Sequence, residues 1–204
     1  MKLYYAPGAC SLSPHIVSRE LGIPLELQKV NTKDKSMDGG GDYRAINAKG
    51  YVPALDLGNG QILTEGPAIV QYLADQKPES GLAPKAGTLE RYRLQEWLNF
   101  ITSEIHKSFS PLFKPSTPED YKKIAKENIG ARFEWLDKQL AGREYLLGTF
   151  GIADAYLFTV VNWSGFVGID LAKYPNLAAY QKRVAARPKV REAMKAEGLL
   201  KEAA

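Results

Sequence analysis

The chain has 204 residues, 45% hydrophobic and 25% charged, with a net charge of +4, which is ordinary for a water-soluble globular protein long enough for one or two cores. No apolar run is long enough to span a bilayer, and Met1-Lys2 runs straight into a strand pattern with no signal-peptide core, so neither membrane insertion nor export is expected and the cytoplasm is the expected compartment. One cysteine, Cys10, excludes an intramolecular disulfide and a Cys-x-x-Cys pair, and two histidines, His15 and His106, make a structural zinc site untenable, so no metal is expected.

Leu3-Tyr4-Tyr5 reads as a strand and Ala6-Pro7-Gly8-Ala9 as a turn. Leu12, Ile16, Val17 and Leu21 then fall at helical spacing, closed by Gly22 and Pro24. Cys10 therefore stands on a strand-to-helix turn, where helix amides and the positive end of the dipole favour a thiolate and lower its pKa. The alternative is a small buried hydrophobe, the commoner fate of a lone cysteine. Leu25 to Val30 alternates as a half-buried strand, followed by a polar loop holding Lys33, Asp34, Lys35 and Gly39-Gly40-Gly41. Asp42 to Asn47 suits a short helix or turn. Val52 to Leu57 and Gln61 to Leu63 flank Asn59-Gly60, the strongest short hairpin signal, so these strands pair antiparallel. Pro53 belongs at the start of its strand because it has no N–H for a ladder. Thr64-Glu65-Gly66-Pro67 opens a helix through Asp75, with Pro67 near its first position.

The order of strand, helix, strand, helix or loop, strand, strand, helix is that of a thioredoxin-like domain over residues 1–76. Residues 77–87, with two prolines and two glycines, read as a linker. Residues 88–204 read as all helical: one long helix from Leu89 to about Leu112, another from Pro118 to about Leu140, a buried helix from Ile152 to Phe166 that is apolar almost all round, then Asn176–Ala186 and a last helix ending near Gly198. The fold class is thus α/β plus all-α. Basic residues exceed acidic ones only after residue 76, 20 against 15, with a cluster between Lys182 and Lys195. No stacking aromatics interleave with that cluster, so it reads as a solvated helix face and no nucleic-acid partner is expected.

Several residues converge on one kind of ligand. Val52 precedes a proline and is biased to extended backbone, where its amide and carbonyl can pair with an extended peptide. Glu65 and Gly66 sit at a helix start, where free amides bind a carboxylate and the Glu65 side chain suits an ammonium group. Lys35 can meet a second carboxylate. Singly, each has a plainer reading: a helix-start acid, or one more solvated lysine. On the long helix Asn99, Ser103 and His106 fall at i, i+4 and i+7 as a polar stripe, beside an apolar stripe of Leu94, Leu98, Ile101 and Ile105.

Taken together, KLYYAPGACSLSPHI, Gly50-Tyr51-Val52-Pro53-Ala54-Leu55, Leu63-Thr64-Glu65-Gly66-Pro67-Ala68-Ile69, Glu96 to Phe100, Ser103 to Lys107 and Ile152 to Phe158 resemble the bacterial beta-class glutathione transferases over nearly the whole chain. Cys10 on the first turn together with His106 carries the class. The resemblance implies that the thioredoxin-like domain binds glutathione as co-substrate and the helical domain supplies the electrophile pocket and dimer contacts. It implies a cis Pro53, Val52 pairing with the cysteinyl part of glutathione, Glu65 and Gly66 holding the γ-glutamyl end and Lys35 the glycyl end. Cys10, Ser11 and His106 would surround the sulfur, and Asn99, Ser103 and Glu104 would approach from the second subunit of a homodimer. Cys10 and His106 are the implied catalytic residues; Tyr5, Phe109, Phe113 and Trp163 are candidates for the electrophile pocket, each with packing as its alternative.

The expected activity is conjugation of glutathione to hydrophobic electrophiles in detoxification, with thiol-transferase or peroxidase side activity through Cys10. The alternatives are a non-catalytic carrier of glutathione and apolar compounds, or an interaction module on the same fold. Two departures from the family pattern stand out. Gly151 replaces the Ser or Thr that usually caps the buried helix, leaving Asp154 to reach back to the Gly151 amide as half a capping box, and Ala48 replaces a proline often found after Asn47.

Overall fold

The computed structural model describes residues 1–200. Four short strands, β1 (Lys2–Tyr5), β2 (Glu26–Lys29), β3 (Ala54–Asp56) and β4 (Ile62–Thr64), form one sheet in the order β2-β1-β3-β4. β1 and β2 run parallel and are joined by helix α1 (Leu12–Leu21), whereas β1–β3 and β3–β4 are antiparallel. The β3–β4 register sets Ala54 opposite Thr64 and Asp56 opposite Ile62, the hairpin that Asn59-Gly60 signals. Helix α2 (Gly66–Asp75) follows β4 directly. Leu12, Ile16, Val17 and Leu21 of α1 and Ile69, Val70 and Leu73 of α2 are buried, so both helices present their apolar stripes to a core. Gly22 closes α1 in the left-handed region at φ 62, its amide donating to Arg19 and Ser18, as a glycine C-cap does.

The helical part holds α3 (Leu89–Phe100), α4 (Lys107–Phe109), α5 (Glu119–Leu140), α6 (Ile152–Val161), α7 (Ser164–Val167) and α8 (Pro175–Ala185), and helix α9 (Pro188–Ala196) ends the described secondary structure. The helical run expected from Leu89 to about Leu112 is continuous but not α throughout: Ile101–His106 is a π-helical turn between α3 and α4, and a 3₁₀ turn over Ser110–Phe113 ends it. In the π turn the Lys107 amide bonds the Thr102 carbonyl, five residues back. Hydroxyls compete for the ladder here: Thr102 Oγ1 donates to the Leu98 carbonyl (2.8 Å) and Ser103 Oγ to the Asn99 carbonyl (3.0 Å). The buried helix α6 stops at Val161 rather than Phe166, because the chain turns at Asn162-Trp163 before α7. Every residue of α6 is buried.

The chain divides into two compact units, and the division does not follow the sequence boundary at residues 77–87 alone. The first unit takes Met1–Ala83 and also the segment from Ala186 onward; the second is Pro84–Ala185. The physical reason lies in buried polar contacts. Glu197, 5% exposed, accepts the Gly8 amide (2.9 Å) and the Nδ1–H of His15 (2.8 Å), and His15 is itself 1% exposed. Arg187 donates from Nε and Nη2 to the two carboxylate oxygens of Glu20 at 2.7 and 2.9 Å. Glu197→Ala leaves two buried donors without their acceptor, each worth about 1–3 kcal/mol, so we expect it to destabilise the protein by about 2–4 kcal/mol, read as a lower urea midpoint; an unchanged midpoint would show that water replaces the carboxylate.

Candidate functional site

In the first unit the site grows from the turn after β1. The Ala9 amide bonds the Ala6 carbonyl (3.0 Å) and the Leu12 amide bonds Ala9 (2.9 Å), which folds residues 6–12 back on themselves. The Ser11 hydroxyl is fully buried, accepting the Ala6 amide (3.1 Å) and donating to the Ala6 carbonyl (3.2 Å). Its side chain therefore serves the turn. Tyr5 is also buried, edge-on to His15 at 6.4 Å, and burial raises its hydroxyl pKa; in the first unit it is a packing residue. Cys10 is half-buried at the start of α1, and its Sγ donates to the Val52 carbonyl at 3.2 Å. A carbonyl oxygen at that distance suits a protonated thiol, since an anionic sulfur and a carbonyl oxygen repel.

The Val52 carbonyl belongs to the segment before β3. Val52-Pro53 is a cis peptide, and the Tyr51 carbonyl accepts from Tyr43 Oη (2.9 Å) and Asn47 Nδ2 (2.8 Å). Burial pushes the Tyr43 hydroxyl up to about 12, so it is a permanent donor. Lys35 lies against the same segment. Its Nζ is 6.0 Å from the Tyr51 ring centroid, and its Cε would come within 3.3 Å of a Cβ on Gly50, which holds φ 65. The absence of a side chain at Gly50 is what lets the Lys35 stem lie there. The Lys35 stem is thus placed against Gly50 and Tyr51, with its Nζ donating to the Thr32 carbonyl.

Glu65 is the last residue before α2, and its carbonyl accepts the Ala68 and Ile69 amides, both at 3.0 Å. Among the described residues, the non-glycine positions at positive φ are Lys35 (φ 68) and Glu65 (φ 69). Each costs of order 1–2 kcal/mol over the ordinary backbone, and such outliers gather where a ligand is held. Pro67 has no N–H, so the first-turn amide that α2 offers an anion is that of Gly66.

In the second unit, His106 ends the π turn and is half-buried. Its Nδ1 is 2.6 Å from the hydroxyl of Tyr156, on the buried helix α6, and the Trp163 ring stands edge-on to it at 4.9 Å. Phe109, Phe113 and Trp163 form one aromatic cluster, with Phe109 and Phe113 5.6 Å from Trp163; Phe109 is fully buried and Phe113 is 49% exposed. Phe109 is core, while Phe113 is the member that faces outward. Asn99 and Ser103 are exposed, and Glu104 accepts Nε and Nη2 of Arg132, both at 2.8 Å. The apolar stripe Leu94, Leu98, Ile101 and Ile105 is buried as expected.

Three residues escape the sequence reading. Lys49 Nζ pairs with Glu65 Oε1 and lies 3.1 Å from Thr64 Oγ1. Tyr156 meets His106 from 50 residues away, and its sequence signal is a polar tip on a buried helix that also carries Asp154 and Thr159. Glu197 anchors Gly8 and His15, the residues that bracket Cys10. Among the described residues there is no cluster of three or more His, Cys, Asp or Glu able to hold a metal ion, and no helix is long and apolar enough to cross a membrane.

Comparison with known proteins agrees with this geometry. Residues 8–76 match the model of the glutathione S-transferase N-terminal domain and residues 100–188 that of its C-terminal domain. The chain is 46% identical over 200 residues to glutathione S-transferase GstA of Escherichia coli O157:H7, covering 98% of this chain and all of that one. Among solved structures it matches the beta-class glutathione S-transferase of Sphingomonas chungbukensis at 48% identity and a TM-score of 0.96, covering 98% of this chain and all of that one. It also matches a sphingomonad glutathione S-transferase complexed with glutathione, at 49% identity and a TM-score of 0.94, with the same coverage. The chain belongs to the glutathione S-transferase family, among its bacterial beta-class members.

Proposed function

We propose that this transferase conjugates the thiol of reduced glutathione to small hydrophobic electrophiles, working as a cytoplasmic homodimer in detoxification. The observation that carries the reading is the contact between Cys10 Sγ and the Val52 carbonyl, which joins two segments 42 residues apart in sequence at one point. A peptide pairing with the backbone of Val52 then brings its cysteinyl sulfur to the Cys10 side chain. Glu65 takes the ammonium group at the γ-glutamyl end and the Gly66 amide its carboxylate, while Lys35 takes the glycyl carboxylate. His106 donates to the sulfur and so stabilises the thiolate, which is the nucleophile. Phe113 and the edge of Trp163 offer apolar surface to the electrophile, and Asn99, Ser103 and Glu104 serve the partner subunit's glutathione. The test is a calorimetric titration with reduced glutathione followed by turnover of chlorodinitrobenzene. Saturable binding at one site per chain with turnover supports the reading; binding without turnover across a panel of electrophiles supports a carrier instead.

On binding, Cys10 turns its hydrogen from the Val52 carbonyl to the glutathione sulfur; against a mixed disulfide of glutathione its thiolate attacks the glutathione sulfur, the substrate S–S bond breaks, the other thiol leaves, and a second glutathione frees Cys10. Cys10→Ala is expected to lose thiol transfer entirely and to slow conjugation by only about threefold to tenfold, the worth of one hydrogen bond. Full retention of both activities would remove Cys10 from the mechanism.

A further inference from the structure

We propose that Asp34 is a positioning residue for glutathione: its carboxylate holds Lys35 in the left-handed backbone from which Lys35 meets the glycyl carboxylate, a role that rests on the reading of Lys35 as the glycyl-end group. Lys35 stands at φ 68, a region disfavoured by about tenfold for a residue with a side chain. Asp34 bridges the chain on either side of it. Oδ1 accepts the Ser36 amide (2.9 Å) and the Ser36 hydroxyl (2.7 Å), and Oδ2 accepts Nδ2 of Asn31 (3.0 Å). The Asn31 carbonyl accepts the Lys35 amide (2.9 Å), and the Asn31 amide donates to the Ser36 carbonyl (2.9 Å). Residues 31–36 are thereby closed into one turn. The Ser36 amide and hydroxyl hold the Asp34 carboxyl below the ordinary carboxylate range, so the acceptor is ionised at neutral pH. The residues are exposed, where a single hydrogen bond counts for little, but three donors on one ionised acceptor offset a tenfold backbone preference.

The direction in which the Lys35 side chain leaves the backbone matters because that backbone is tied to the segment before β3. The Lys35 carbonyl accepts the Tyr43 amide (2.8 Å), and the same Tyr43, fully buried, donates from Oη to the carbonyl of Tyr51, the residue before Val52. One core tyrosine thus sets the spacing between Lys35 and the Val52 segment. The stem of Lys35 then lies over Gly50, where a Cβ would come within 3.3 Å of Cε, and Nζ reaches the Thr32 carbonyl (2.5 Å). At a negative φ the Lys35 Cβ swings away from Gly50, and both contacts are lost. Charge alone predicts the opposite outcome. Asp34 is an anion next to a group that receives an anion, so its removal should tighten glutathione binding by Coulomb attraction. Positioning requires that its removal weaken binding, and the sign separates the two.

The test compares glutathione with glutathione ethyl ester, blocked at the glycyl carboxylate, in steady-state conjugation of chlorodinitrobenzene by the full-length protein. Wild type should give a KM for the ester about tenfold above that for glutathione, the worth of one charge-assisted hydrogen bond. Asp34→Ala should raise KM for glutathione by about threefold to tenfold while KM for the ester and kcat stay unchanged, the pattern of lost uniform binding. Asp34→Asn keeps an oxygen for the Ser36 amide and hydroxyl but loses the charge, so it should stay within about twofold of wild type. Equal KM values for the two substrates in wild type overturn the role of Lys35, and the proposal with it. A wild-type difference that persists in Asp34→Ala overturns the proposal alone. So does an alanine variant whose KM for glutathione is at or below the wild-type value, an equal rise for both substrates, or an asparagine variant as impaired as the alanine one.

Discussion

Glu65→Ala is expected to weaken glutathione binding by about tenfold to a hundredfold in calorimetric titration, the range for losing one hydrogen bond to a charged group. Glu65 is the one carboxylate at the start of α2, and the amide beside it, that of Gly66, can bind only an anionic group. The ammonium group has no other acidic partner on that turn. Exposure argues for a smaller effect: the Glu65 side chain is 68% exposed and is already paired with Lys49, which is 48% exposed. Exposed ion pairs are worth little, so displacing Lys49 costs the ligand little. Once bound, the ligand itself covers the carboxylate and the pair strengthens. Glu65→Gln separates charge from shape. It keeps the length of the side chain and a residue able to sit at φ 69, so a loss comparable to that of alanine assigns the effect to the charge. Unchanged affinity in both variants would mean that the γ-glutamyl end binds elsewhere.

The residues of this site were legible in the sequence to different depths, for physical reasons. Turn chemistry is local, and it is legible wherever it acts alone: Asn59-Gly60 gives the β3–β4 hairpin, Pro67 starts α2, and Gly22 ends α1. Cys10 and Glu65 announce themselves because they stand at helix starts. Lys35 does not, since nothing in a polar loop distinguishes it until Gly50 makes room for its stem. The π turn is hidden because Ile101–His106 has an unexceptional helical pattern and the competing hydroxyls of Thr102 and Ser103 are common on exposed helix faces. The return of the last segment to the first unit is hidden for a different reason. Glu197 sits in a charged, helical stretch that reads as solvated, and only its meeting with Gly8 and His15 shows that it is buried. Tyr156 is the same case in reverse, a polar tip in an apolar helix whose purpose is set by a histidine on another element.

Asp154→Ala is expected to destabilise the protein by about 3 kcal/mol, because the carboxylate accepts three hydrogen bonds and each orphaned donor costs about 1–3 kcal/mol, partly offset by no longer burying the charge. The donors are the Leu146 amide (3.0 Å), the Gly151 amide (2.9 Å) and the Tyr180 hydroxyl (3.0 Å). Gly151 caps α6 without a side chain, so the return bond from Asp154 is the whole of the side-chain cap. The same carboxyl gives a pH signature. Burial is the largest influence on it and pushes its pKa from 3.8 up to about 6, against the pull of the three donors; burial and the neighbouring carboxylate likewise hold the Tyr180 hydroxyl protonated. A carboxyl with a higher pKa in the folded state binds its proton more tightly there. Its contribution to stability is full below the unfolded value and is lost as pH rises through about 6. Urea midpoints measured from pH 4 to pH 7 should therefore show the gap between wild type and Asp154→Asn narrowing across the window from 3.8 to about 6. Asparagine cannot ionise, yet it fills the same space and still turns one N–H toward a donor, so it stays the weaker cap throughout. A gap that widens instead would mean that the two amides and the phenol outweigh burial, and that Asp154 is a low-pKa carboxylate which stabilises α6 by its charge.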